Sequence, residues 1–281
     1  MRVKWLWMGM CGLMLLAGTD EVAKKWGEMF LRQLEAPLSR PMNVLSYAWE
    51  MFSLFERRAP QNLQELCSSS YIAVSCGDIL DPIWKVPILQ TKPGEGFTLE
   101  PDPERAPTGV VLTYTSPKGE KTVVRWLGNT PIPYLQNIAF SLNPESGKDW
   151  GPEKKVGIAV SRYVNRMMWD FHTVHRRIPD SMEEFRQFAS KYYYFDRLRN
   201  AFTGKYAKVV SIPCSESLPT KKELEKEKIE DGTIVFCDWQ GRSGTPLAYP
   251  VANSEIYTAL CNDRPMGKYL SPSAPGVCRI H

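Results

Sequence analysis

RRAPQNLQEL (Arg57 to Leu66) and RRIPDSMEEF (Arg176 to Phe185) are two versions of one phrase, and their reading decides the fold. With Arg57 laid on Arg176, Arg58 falls on Arg177, Pro60 on Pro179 and Glu65 on Glu184. The apolar positions follow, Leu63 and Leu66 meeting Met182 and Phe185. Asp81 then falls on Asn200, so the stretch from proline to Asx is equally long in both copies. A spacing kept over that length marks an internal duplication.

Upstream of each proline the apolar residues recur at helical spacing. Val44, Leu45, Ala48, Trp49, Phe52 and Phe55 share one face in the first copy, and Val160, Tyr163, Val164, Met167, Met168, Phe171 and Val174 share one in the second. Proline disfavours helical geometry in the residue before it, which predicts helix ends at Ala59 and Ile178. Asn62, and Asp180 or Ser181, can then cap a short second helix. An earlier helix is expected from near Glu21, with Pro37 and Pro41 kinking or interrupting it.

Downstream, Gly109 to Trp126 and Gly232 to Pro250 each read as two β-rich runs around a Gly-containing turn, the pattern of a hairpin. Each copy therefore predicts a helix covering a small antiparallel sheet, an α+β arrangement. The expected division is a signal peptide or anchor at 1–18, a first module at 19–130, a linker at 131–155 and a second module at 156–281. The charge run Lys221 to Asp231 reads as a solvated helix or loop.

These features resemble the soluble head of type II secretion pseudopilins and related type IV pilin-like proteins. The resemblance rests on the long helix, the P-x-x-[LM]-x-E-[LF] step, and the entries to the sheet at Asp81-Pro82-Ile83-Trp84 and Asn200-Ala201-Phe202-Thr203-Gly204-Lys205. It covers roughly residues 44–126 and 158–250, and it implies two pseudopilin-like modules used for assembly or protein contact near secretion machinery. It does not extend to the leader. Gly18 is followed by Thr19 and Asp20, with Val22 at the fifth position and Lys24 and Lys25 soon after, unlike the continuous apolar helix of true pilins. The resemblance thus implies a duplicated head module rather than a filament subunit. Independently of the family, Asp81 and Asn200 suit an Asx turn, Gly204 suits a positive φ, and Trp84 and Phe202 can pack beneath the helix.

Arg2 and Lys4 precede an apolar run from Trp5 to Gly18. That run falls short of the roughly 17–25 residues of a membrane-spanning helix and matches the basic and apolar regions of an export signal. Export makes the protein extracytoplasmic: periplasmic, membrane-anchored or secreted. Loss of Cys11 with the leader leaves Cys67, Cys76, Cys214, Cys237, Cys261 and Cys278, an even set in an oxidising compartment. Many pairings are open to six cysteines; nearest neighbours, 67–76, 214–237 and 261–278, would keep each bridge within one module. No C-x-x-C is present for redox or zinc chemistry.

The 35 Lys and Arg against 31 Asp and Glu leave a net charge of +4, too small and scattered for a nucleic-acid footprint. The membrane is expected as a partner only through an uncleaved N-terminal segment, and other envelope or secretion-machinery proteins are the expected partners. Candidates for chemistry are few. His172 and His175 share a helix face and could begin a metal site for an exported hydrolase; the preferred reading sets them, together with Arg176 and Arg177, at the helix C-terminus, where the dipole favours a cation. Asn143 to Glu153 loosely resembles a calcium loop and reads otherwise as polar linker. G-x-S-x-G, G-x-x-x-x-G-K-[ST] and G-x-G-x-x-G are all absent. The 9 tryptophans and 12 tyrosines, Tyr192, Tyr193 and Tyr194 among them, could line a carbohydrate groove or fill a core. The expectation is a non-enzymatic interaction protein with no cofactor, no catalytic residue and no metal.

Overall fold

The computed structural model describes residues 20–126, 150–212, 219–237 and 248–257. Within them the chain is α+β. Helices α1 (Asp20–Leu34), α2 (Ser39–Glu56) and α3 (Leu63–Ser68) lead into strands β1 (Gly96–Pro101), β2 (Val110–Thr115) and β3 (Lys121–Trp126). Helices α4 (Pro152–His175) and α5 (Met182–Tyr192) follow, then β4 (Val209–Ile212), α6 (Lys221–Lys226), β5 (Ile234–Cys237), β6 (Ala248–Ala252) and β7 (Glu255–Ile256). Pro37 lies in the break between α1 and α2, while Pro41 occupies the first turn of α2, where its missing N–H costs no helical bond. Helix α4 opens with Pro152 in its first turn, inside the stretch expected as linker.

The apolar stripes bury as their spacing requires. In α2, Val44, Leu45, Ala48, Met51 and Phe52 are buried, with Trp49 and Phe55 half-buried; in α4, Val160, Tyr163, Val164, Met167, Met168 and Phe171 are buried. Both helices end earlier than their prolines predict, at Glu56 and His175. Arg57 (φ 56°) and Arg176 (φ 60°) take the left-handed conformation, and their N–H groups return to the carbonyls of Ser53 (3.0 Å) and His172 (2.8 Å). This closure satisfies a terminal carbonyl three residues before proline could act.

The sequence repeat is reproduced bond by bond. Arg58 donates to the Ala59 carbonyl (3.1 Å) and to the Glu65 carboxylate (2.5 and 3.3 Å); Arg177 donates to the Ile178 carbonyl (3.1 Å) and to Glu184. Glu65 also accepts from the Gln61 N–H (2.5 Å), and Glu184 from the Asp180 N–H (2.7 Å). Asn62 caps α3 by accepting from the Glu65 N–H (2.9 Å), and Ser181, rather than Asp180, caps α5 from the Glu184 N–H (3.2 Å). Even the cation over the ring recurs, with Arg58 over Phe52 at 4.9 Å and Arg177 over Phe171 at 5.5 Å.

In the first sheet, order β1-β2-β3, all pairings are antiparallel, with Phe97 opposite Tyr114 and Leu99 opposite Leu112. Phe97, Leu99, Val110, Leu112 and Tyr114 form its buried face. The second sheet, order β4-β5-β6-β7, corrects the expectation of purely antiparallel strands. The β5–β6 and β6–β7 pairs are antiparallel, but β4 runs parallel to β5, Val209 opposite Ile234. Parallel neighbours need a crossover, and the charge run supplies it as α6. That helix closes a Thr220/Glu223 capping box and sinks Leu224 into a small cluster with Ile212, Val235 and Val251.

The two copies share a core. One continuous apolar cluster runs from Leu34 through Ile88 and Leu112 to Tyr163, Phe185, Leu198 and Ala248. Tyr47 of α2 meets Tyr163 of α4 with ring centroids 5.8 Å apart, and Val74 forms a bridge with Leu198. Trp84 and Phe202, expected beneath the helix, are only half-buried and stand outside this cluster. Asn165 of α4 fixes the second sheet on the helix: its side chain accepts from the Ala248 N–H (2.6 Å) and donates to the Ala248 carbonyl (3.0 Å).

Candidate functional site

The two Asx residues each fold a turn of the same construction. Asp81 Oδ1 accepts from the N–H groups of Ile83 (2.9 Å) and Trp84 (2.8 Å), and Asn200 Oδ1 from those of Phe202 (3.0 Å) and Thr203 (3.2 Å). The main chain closes alike, Asp81 N–H to Val86 O at 2.8 Å and Asn200 N–H to Lys205 O at 3.1 Å. Lys85 (φ 57°) and Gly204 (φ 67°) occupy the left-handed position in each. Glycine is the expected residue there, and the first copy places an exposed lysine instead.

Hydrogen bonds join the two turn regions. The Arg199 N–H donates to the Ala73 carbonyl (2.9 Å), and its guanidinium to the carbonyls of Ser69 (3.2 Å) and Ile72 (3.3 Å). Burial holds the Arg199 guanidinium below its usual range. The Tyr206 hydroxyl donates to Asp78 (3.0 Å) and accepts from Arg197 (2.7 Å), and the Tyr194 hydroxyl reaches the Leu80 carbonyl (3.5 Å). Around this seam stand exposed apolar side chains: Leu80 and Leu89, with Ile83 at 51% and Tyr206 at 46% exposure. Among the described residues only Met29 and Val123 are comparable elsewhere. Exposed apolar side chains mark contact sites where they form a continuous patch.

The buried polar centre lies elsewhere, between α4 and the end of α5. Asp170 accepts from Arg166 (2.8 Å) and from the Tyr193 hydroxyl. Burial raises the Asp170 carboxyl above the usual carboxylate range even against the Arg166 charge, and it pushes the Tyr193 and Tyr163 phenols well up. Tyr47 is pushed up to about 12, chiefly by burial. Arg162 pairs with Glu50 at 2.9 Å across the same helix contact. Every one of these groups braces one element against another.

Of the residues singled out by sequence, Cys67 and Cys76 are bonded, with Cα atoms 5.7 Å apart. Cys214, Cys261 and Cys278, and the side chain of Cys237, lie outside the described residues, as do the leader and Asn143 to Asp149. His172 and His175 sit in the last turn of α4 packed on rings. His172 faces Trp169 at 6.0 Å, and His175 faces Phe171 at 4.3 Å and Phe188 at 5.8 Å. Burial, and then the charges of Arg176 and Arg177 respectively, hold both imidazoles below their ordinary value, so these two arginines are the cations at the helix end. Among the described residues no group of three or more His, Cys, Asp or Glu is placed to hold a metal ion. Tyr192, Tyr193 and Tyr194 are buried. The sequence reading missed Leu80, Leu89 and Tyr206; the available signal was apolar residues flanking a turn, where polar ones are the rule.

No family model, characterised protein or solved structure matches the chain.

Proposed function

We propose that the protein is an exported, non-enzymatic component of the cell envelope that works by binding other proteins, built from two pseudopilin-like modules. The observation that carries this reading is the seam between the two turns, where Leu80, Ile83, Leu89 and Tyr206 stand exposed beside the hydrogen bonds that join the two copies. The Cys67–Cys76 bridge supports export, since such bonds persist in oxidising compartments. No helix among the described residues is long and apolar enough to cross a membrane. The matched bonding of the two repeats supports duplication of one module, and the resemblance of that module to pseudopilin heads supports a partner in secretion or pilus machinery.

The test is photo-crosslinking in the native cell, with a photoreactive amino acid at Ile83 or Tyr206 and a control at exposed Lys118. One discrete protein adduct at both seam positions and none at the control is expected. Equal labelling at all three positions, or none at the seam, contradicts the reading.

A further inference from the structure

The two turns share one construction but carry different surfaces. Laid on the second copy, Leu80, Ile83 and Leu89 correspond to Arg199, Phe202 and Lys208. Arg199 is engaged with the first copy, its guanidinium donating to the carbonyls of Ser69 (3.2 Å) and Ile72 (3.3 Å), and Lys208 pairs with Glu230 at 3.2 Å. Phe202 is half-buried. In the first copy all three counterparts are apolar, and they are exposed by 42%, 51% and 40%. The backbone keeps them within one short loop. Leu80 forms a bridge with Pro87, the Asp81 N–H meets the Val86 carbonyl at 2.8 Å, and the Gln90 N–H returns to the Pro87 carbonyl at 2.8 Å. Ile83 lies inside the loop so closed, and Leu89 in the turn that follows it.

Every exposed charge on this loop is positive. From Ile79 to Pro93 the charged residues are Asp81, Lys85 and Lys92, and Asp81 is fully buried within its turn. Lys92 Nζ lies over the Trp84 ring at 4.9 Å, and the Lys85 ammonium has no acidic partner among the described residues. Lys85 also holds φ 57° where the second copy has Gly204 at 67°. A side chain in that conformation costs about 1 kcal/mol, and glycine builds the same turn without it. Strain retained at an exposed, unpaired cation between apolar side chains marks a binding position rather than a folding one.

We propose that this loop takes an acidic, apolar segment of a partner protein, its Asp or Glu side chains meeting Lys85 and Lys92 and its apolar side chains covering Leu80, Ile83 and Leu89. Opposite charge steers such a segment to the loop and turns basic ones away. Two lysines are fewer than the roughly 4–8 that fix a basic cluster to an anionic membrane, which favours a peptide over a lipid surface. The inference rests on the protein-binding function proposed above and adds the chemistry of the partner.

The test begins with a display library of random peptides selected on the purified full chain. Sequences rich in Asp and Glu beside Leu, Ile, Phe or Trp are expected. The strongest of them, fluorescently labelled, is then titrated by anisotropy. Lys85→Gly is expected to weaken binding about threefold although it relieves the turn, and raising salt from about 0.05 to 0.5 M is expected to weaken it in the parent chain. Ile83→Ser is expected to weaken binding about tenfold, and keeps the test open should Lys85→Gly fold poorly. Selection of neutral or basic sequences, of none, or of acidic ones that both variants bind as the parent chain does, overturns the proposal. So does binding to phosphatidylglycerol vesicles that the same variants lose. Neutral or basic selected sequences alongside a discrete cellular adduct at Ile83 would remove this inference alone; loss of the adduct as well would remove the functional reading with it.

Discussion

His172 and His175 show how position and environment compete at a single residue. The C-terminal turn of a helix favours a cation, and sequence alone assigns that role to them. In the fold their rings pack on Trp169, Phe171 and Phe188, and neighbouring arginines oppose a further positive charge. Folded imidazoles therefore bind protons less readily than unfolded ones, whose value is roughly 6.5. Below that value the unfolded state holds more protons, so stability rises with pH and falls on acidification. Urea midpoints are expected to drop between about pH 7.5 and 5.5. The double variant His172→Gln, His175→Gln is expected to flatten that slope, and an unchanged slope contradicts the account. The sequence placed both residues on the correct helix turn; it could not show the Phe188 ring against His175, because Phe188 arrives from α5.

At the scale of the element, the repeated turn was the most legible feature. Proline, Asx and the capping Glu each act on neighbours within a few residues, so local spacing is enough to read them. Lys85 tests this directly, because it stands in the left-handed conformation where the second copy has Gly204. Lys85→Gly is expected to raise stability by about 0.5–1 kcal/mol, relief of the Cβ clash outweighing the added chain entropy. Gly204→Ala is expected to lower it by about 1 kcal/mol through the backbone alone, since a Cβ there would meet nothing within 4 Å. Denaturant midpoints measure both, and opposite signs would refute the equivalence of the turns. The parallel β4–β5 pair was not legible. KVVSIP carries a strand signal, but its partner lies beyond a charged helix whose one buried residue, Leu224, is hidden among Lys and Glu. Pairing of that kind depends on the crossover rather than on the strands themselves.

For the whole molecule, the sequence suggested two modules joined by a linker; the main apolar cluster draws side chains from both copies, with a smaller cluster around Leu224 beside it. Amphipathic stripes tell how much surface a helix buries but not against which partner. Here α2 packs on α4 through Tyr47 and Tyr163, Glu50 pairs with Arg162, and Arg199 reaches the main chain of the first copy. The two halves thus stabilise each other, and exposed apolar side chains stand at the seam between them. Native-state hydrogen exchange over a series of low denaturant concentrations measures that dependence most directly. The amides of Val44 to Phe52 in α2 and of Val160 to Phe171 in α4 are predicted to open with one free energy and one denaturant slope. Two separate openings, with α4 still protected after α2 has exchanged, would contradict a shared core.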